Sequence, residues 1–223
     1  MEITAEKIMQ QLSAGTQVAG VIAVFGEEGY YKDKIAAALP RAVFGDAAPE
    51  DREITVFERD TDIKEISAAV NTYPFFSGRS LVIIKDEKLW GGKDGGEKRK
   101  QQQEELAELL ADVPEHCQVL LLGEKIDKRG KLYKSLLKTA AMVECKSLKS
   151  YQLKPWLDEQ AALRGHEILA RIDIDNVDDF ASLPKADAVL DFSHPGMLPF
   201  LAEYIRRTGT ALCSGTTAFG EQE

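Results

Sequence analysis

Apolar residues along this chain fall into two alternating patterns. Short apolar runs at residues 18–25 and 81–84 have the length and composition of strands buried on both faces, and residues 53–57, 119–122 and 142–145 also read as strands. Between them, apolar residues recur every three to four positions. Ile8, Met9 and Leu12 form one such stripe, Ile63, Ile66, Ala69 and Val70 a second, and Leu106, Leu109 and Leu110 a third. Residues 30–39 and 131–138 also read as helices. Thr4 suits the cap of the first helix and Gly15 its end, while Pro40 is expected to stop the second. Residues 88–100 read as a glycine- and charge-rich loop around Trp90-Gly91-Gly92-Lys93-Asp94-Gly95-Gly96. Strand and helix in alternation predict an α/β fold, a parallel sheet flanked by helices on both faces.

One stretch breaks both patterns. After the helix carrying Ile66 and Val70 comes Asn71-Thr72-Tyr73-Pro74-Phe75-Phe76-Ser77-Gly78-Arg79-Ser80, and then the run from Leu81. Pro74 stops the helix, because its ring removes an N–H and disfavours the helical region for Tyr73. Two adjacent phenylalanines follow at a helix end beside the edge of a core. The plain reading is that they cap that core, and for at least one of them it is the stronger reading. The sharper reading is an exposed apolar knuckle for a partner, since aromatics at a helix tip serve as interface anchors.

Composition narrows the function classes. At 223 residues, with 44% hydrophobic and 29% charged residues, the chain suits one large soluble domain or one domain with part of another. No apolar run approaches about 20 residues, so no membrane contact is expected, and the acidic N-terminus carries no apolar signal core. Cys117, Cys145 and Cys213 are widely spaced, and His116, His166 and His194 equally so. These suit buried thiols in a reducing cytoplasm and argue against a metal site. The net charge of −9 does not argue for a nucleic-acid surface.

The first strand-to-helix turn is where such a sheet would bind phosphate. It reads Gly26-Glu27-Glu28-Gly29-Tyr30-Tyr31-Lys32-Asp33. Against the phosphate-cradling pattern G-x-x-x-x-G-K-[ST], Gly26 and Lys32 are in register. Tyr31 stands where the close-approach glycine belongs, and Asp33 where the magnesium-binding hydroxyl belongs. Glu27 and Glu28 would face phosphate oxygens. Asp86-Glu87, after the third strand, is similar to a Walker B end but is offset by Lys85. The turn looks like a P-loop that has lost its chemistry: ATP hydrolysis is not expected and no cofactor is called for, while weak nucleotide binding stays open.

Four segments together carry a resemblance. They are Val24-Phe25-Gly26-Glu27-Glu28; Tyr73-Pro74-Phe75-Phe76-Ser77-Gly78-Arg79-Ser80-Leu81-Val82; Lys125-Ile126-Asp127-Lys128-Arg129-Gly130-Lys131-Leu132; and Val143-Glu144-Cys145-Lys146 with Leu153-Lys154-Pro155-Trp156-Leu157. In this order and spacing they resemble the delta subunit of the bacterial DNA polymerase III clamp loader, over roughly residues 17–168. The resemblance implies a P-loop-NTPase or AAA+-like domain at 1–148 that does not turn over ATP, and so no catalysis from this chain. It implies that the knuckle wedges into a hydrophobic pocket of the sliding clamp, with the contact falling on Pro74 and Phe75 and with Phe76 adjacent. Residues 149–170 would form the first helix of a lid domain, ended by Gly165. Other clamp-loader subunits are implied partners, weakened by the lack of a collar pattern, and DNA is an indirect one.

Beyond residue 170 the pattern changes. Asp191-Phe192-Ser193-His194-Pro195, an amphipathic helix, and Gly215-Thr216-Thr217-Ala218-Phe219 resemble part of dihydrodipicolinate reductase, a nicotinamide-dependent enzyme of lysine biosynthesis. The resemblance implies a partial Rossmann-like strand–helix–strand unit over 171–223. It places any nicotinamide contact on Gly215, Thr216 and Thr217, with Ala218 departing from the usual glycine. No glycine-rich pyrophosphate turn follows its first strand, so this segment is expected to be inactive. The change near residue 170 reads as a join or a truncation rather than a bifunctional protein. Two functions are thus weighed: a replication module that binds and opens a sliding clamp, and a fragment of a pyridine-nucleotide oxidoreductase.

Overall fold

The structure, a computed structural model, describes residues 1–16, 18–59, 61–85, 89 and 96–216, with the backbone alone at 98 and 99. The chain divides into two compact units, Met1–Ser147 and Leu148–Glu223.

The first unit is built on a five-stranded sheet. Its strands are β1 (Val21–Phe25), β2 (Glu53–Phe57), β3 (Ser80–Ile84), β4 (Cys117–Gly123) and β5 (Ala140–Glu144). All pairings are parallel, and the strands lie side by side in the order β2-β3-β4-β1-β5. Period-two alternation sends successive side chains to opposite faces. On one face, Ile22, Val24, Leu81, Ile83, Leu120 and Val143 pack against α1 (Ala5–Ser13) and α2 (Gly29–Phe44). On the other, Ala23, Val82, Ile84, Val119, Leu121 and Met142 pack against α3 (Ile63–Asn71), α4 (Glu97–Leu109) and α5 (Lys131–Thr139). Burial of those two apolar layers is the main stabilising term. The expected parallel sheet with helices on both faces is what the chain forms.

The two edges of this sheet differ. Outside β5, the backbone of residues 1–3 pairs with Met142: Ile3 N donates to Met142 O and Met142 N to Met1 O, each at 2.9 Å. Among the described residues, β2 is hydrogen-bonded to a strand on one side only, and its Ile54 and Val56 are exposed.

Several helix ends depart from the sequence reading. α2 runs through Pro40 to Phe44 instead of stopping at the proline. The lost backbone bond is offset by burying Phe44 in the α1–α2 face, and Gly45 then ends the helix at φ +59°. α4 begins at Glu97, inside the stretch read as a loop, because Gly96 supplies the non-helical start. Residues 86–88 and 90–95, which include the Walker-B-like pair and most of the Trp90 loop, lie outside the described residues.

The second unit opens with α6 (Ser150–Ala162), which exposes Leu153 and Leu157 and continues through Pro155. The chain turns after it at Gly165, φ +72°. A 3-10 segment (Ile174–Ala181) leads to β6 (Ala188–Asp191), α7 (Leu198–Thr208) and β7 (Ala211–Ser214). β6 and β7 pair in parallel, the strand–helix–strand order read from the sequence.

Candidate functional site

Two places in the first unit were marked by the sequence. At the turn after β1, Gly26 has φ +131°, and a Cβ there would lie 1.9 Å from the Cys145 carbonyl oxygen. The β5 end folds over this turn: Cys145 N donates to Phe25 O at 2.6 Å and Glu28 N to Cys145 O at 3.2 Å. The N-terminus of α2, where a phosphate would sit, is taken by the chain itself. Glu28 is the N-cap, and its Oε1 accepts from Tyr30 N at 2.9 Å. The Lys32 ammonium, which would reach β- and γ-phosphates in a working loop, donates to Gly26 O at 2.7 Å.

Beside the turn, a cavity of about 390 Å³ opens between the C-terminal ends of β1, β4 and β5. Its charges are balanced internally. Glu144 accepts from Lys128 at 2.8 Å and pairs with Lys146 at 3.2 Å. Burial raises the Glu144 carboxyl, but the two ammonium groups outweigh it and bring the value below the usual range.

The second place is the knuckle. α3 ends at Asn71, and Thr72 N closes its last turn on Ala68 O at 3.0 Å. Pro74 is buried, which fixes where the chain leaves the helix. The residues around it stand out: Tyr73 is 72% exposed, Phe75 86% and Phe76 66%. The two phenylalanine rings meet edge to face, with centroids 5.1 Å apart. Gly78, at φ +65°, then turns the chain back into β3, and Ser77 Oγ donates to Arg79 O at 2.7 Å. The expectation that at least one phenylalanine caps the core is not met. Pro74 occupies that position, both rings are left outside, and of the three residues marked for partner contact Pro74 is the one without an exposed surface.

The delta-subunit model of DNA polymerase III matches residues 25–146, more than half of the chain. The chain belongs to the DNA polymerase III delta-subunit family. It is 30% identical over 135 residues to DNA polymerase III subunit delta of Bacillus subtilis (strain 168), covering 59% of this chain and 39% of that protein. Its fold is similar to that of the solved Bacillus subtilis DNA clamp loader delta protein. The TM-score is 0.61 at 20% identity, over 94% of this chain and 60% of that one. This delta-family chain therefore spans 39% of the first relative's length and 60% of the second's, less than two thirds of either.

None of these matches supports the likeness of residues 171–223 to dihydrodipicolinate reductase. In the second unit, Gly215 N donates to Asp191 O at 2.7 Å. The Thr216 hydroxyl lies 2.8 Å from Asp191 Oδ2 and 3.1 Å from Ser193 O. Both residues are thus engaged within their own unit, and Thr217 lies outside the described residues. The buried Asp191 carboxylate gathers this end of the sheet, also accepting from Ser193 N and Oγ and from Ser214 Oγ.

Two contacts at these places escaped the sequence reading. Glu28 as a cap carried a signal, an acidic residue directly before a helix. The other, a hydrogen bond from Phe75 N to Glu53 Oε1 at 2.9 Å, joins residues 22 positions apart and left no local trace.

Proposed function

We propose that this chain carries the clamp-contacting part of a clamp-loader delta subunit, acting in bacterial DNA replication without hydrolysing ATP. The observation that carries this reading is the pair of adjacent, exposed, mutually packed rings of Phe75 and Phe76 on an apex fixed by buried Pro74. Two such rings exposed to water at a fixed apex suit insertion into an apolar pocket. The sliding clamp is the partner proposed, and opening of the ring is the action that follows from a wedge of this kind. Association with other clamp-loader subunits, indirect access to DNA and a cytoplasmic setting belong to the same reading. The filled turn after β1 supports a module that binds a partner rather than a nucleotide.

The test is affinity for the sliding clamp together with the thermal midpoint, for Phe75→Ala and Phe76→Ala. Burying a phenylalanine at an interface contributes roughly 1.5–3 kcal/mol. Each variant should therefore bind about ten-fold to over a hundred-fold more weakly. The midpoint should stay where it is, because neither ring is packed in the core. Wild-type affinity in both variants refutes the reading.

A further inference from the structure

The knuckle is held from below. Glu53, Ser80 and Cys117 are register partners at the N-terminal ends of β2, β3 and β4. Register partners on parallel strands project to the same face. That face is the one α3 covers, since Val82 and Val119, two residues further on, share a core with Ile66 and Val70. Beside this row, His116 sets its ring against Tyr73 at 5.1 Å, and its carbonyl accepts from Ser80 N at 2.8 Å.

Among the described residues, no backbone-to-backbone hydrogen bond ties down residues 73–79 between Thr72 and Ser80. The Phe75 amide is held instead by a side chain, Glu53 Oε1. The other oxygen of that carboxylate, Oε2, is shut off from solvent with no hydrogen-bond partner, as is His116 Nε2. One carboxylate oxygen enclosed without a partner is unfavourable at the margin of an apolar core, although the bond through Oε1 lies at the surface.

We infer that Glu53 is a positioning residue for the partner contact: its carboxylate fixes the Phe75 amide, so that the two rings are presented preformed. The inference rests on the reading that Phe75 and Phe76 dock on the clamp. It accounts for why a carboxylate occupies the first position of β2. A loop of seven residues without its own backbone ladder would otherwise sample many conformations. Ordering it on binding would then reduce affinity. The stability given up at Glu53 is exchanged for a single loop conformation before the partner arrives.

The experiment uses the whole chain and the purified sliding clamp, with Glu53→Leu, Glu53→Gln, Phe75→Ala and Phe76→Ala measured side by side. Glu53→Leu should lose about ten-fold in affinity, the scale of one hydrogen bond to a charged group. Its thermal midpoint should be unchanged or higher. Glu53→Gln keeps an oxygen that can accept the Phe75 amide and should stay within about three-fold of wild type, the scale of a weak neutral hydrogen bond. If Glu53→Leu binds as wild type while Phe75→Ala does not, the inference is overturned and the docking reading stands. If Glu53→Gln falls as far as Glu53→Leu, the carboxylate acts through its charge and not through the amide, which also overturns it. Wild-type affinity for Phe75→Ala overturns the inference, and wild-type affinity for Phe76→Ala as well overturns the docking reading with it.

Discussion

The Glu28 carboxylate accepts the Tyr30 amide at 2.9 Å, at the helix N-terminus that a phosphate-binding loop leaves open to its ligand. An anion entering there would meet a carboxylate instead of free N–H groups. It would also find the Lys32 ammonium already bonded to the Gly26 carbonyl.

The chain should therefore show no saturable binding of a fluorescent ATP analogue at millimolar concentration. Glu28→Ala removes the cap and should cost about 1 kcal/mol of stability. Saturable ATP binding that disappears in Lys32→Ala would show that the loop still works.

Gly26 is a test of the same turn from the packing side. Alanine there would place its Cβ 1.9 Å from a backbone oxygen, at a φ of +131°. The clash is with the Cys145 main chain, which can move only by opening the end of β5. Gly26→Ala should cost on the order of 3 kcal/mol in urea unfolding of the first unit. A loss within about 0.5 kcal/mol, the range of an ordinary surface substitution, would show that β5 gives way easily.

Acid sensitivity should be concentrated at Asp191. Burial, the largest influence, pushes its carboxyl up. The hydrogen bonds from Ser193, Ser214 and Thr216 together outweigh it and hold the value at about 2, against 3.8 for the free group. A carboxyl depressed on folding contributes stability above its unfolded value and loses it as pH falls through the folded one. The β6–β7 unit should thus weaken between about pH 4 and pH 2. Ser214→Ala removes one donor and should move that acid limb to higher pH, read from the Asp191 carboxyl by NMR titration. An unmoved limb would show that Ser214 does not stabilise the carboxylate.

Most of the fold was legible because its signals are local. The apolar runs at β1 and β3 announced strands buried on both faces, β4 and β5 were read as strands, and the Ile63–Ile66–Val70 spacing announced α3. Pro40 misled because a proline's local cost was set against a distant gain, the burial of Phe44. At the site, the loss of P-loop chemistry could be read from Tyr31 and Asp33 alone. That the turn is also filled required Cys145, which is brought to Gly26 only by the β1–β5 pairing. For at least one of the two phenylalanines the sequence favoured the core, and the structure places both outside, because a helix tip can face inward or outward and no local signal says which. Burial of Pro74 decided it.

The unequal edges of the first sheet set a limit on how this unit can associate with itself. Among the described residues, the backbone of residues 1–3 pairs with β5 at Met142, whereas β2 has no strand on its outer side along its whole length. An object with two open edges can propagate into a filament, whereas one with a single open edge terminates after one pairing. Edge-to-edge misassembly through this sheet is therefore expected to start at β2, and a pair of molecules joined there uses up the longer open edge of each.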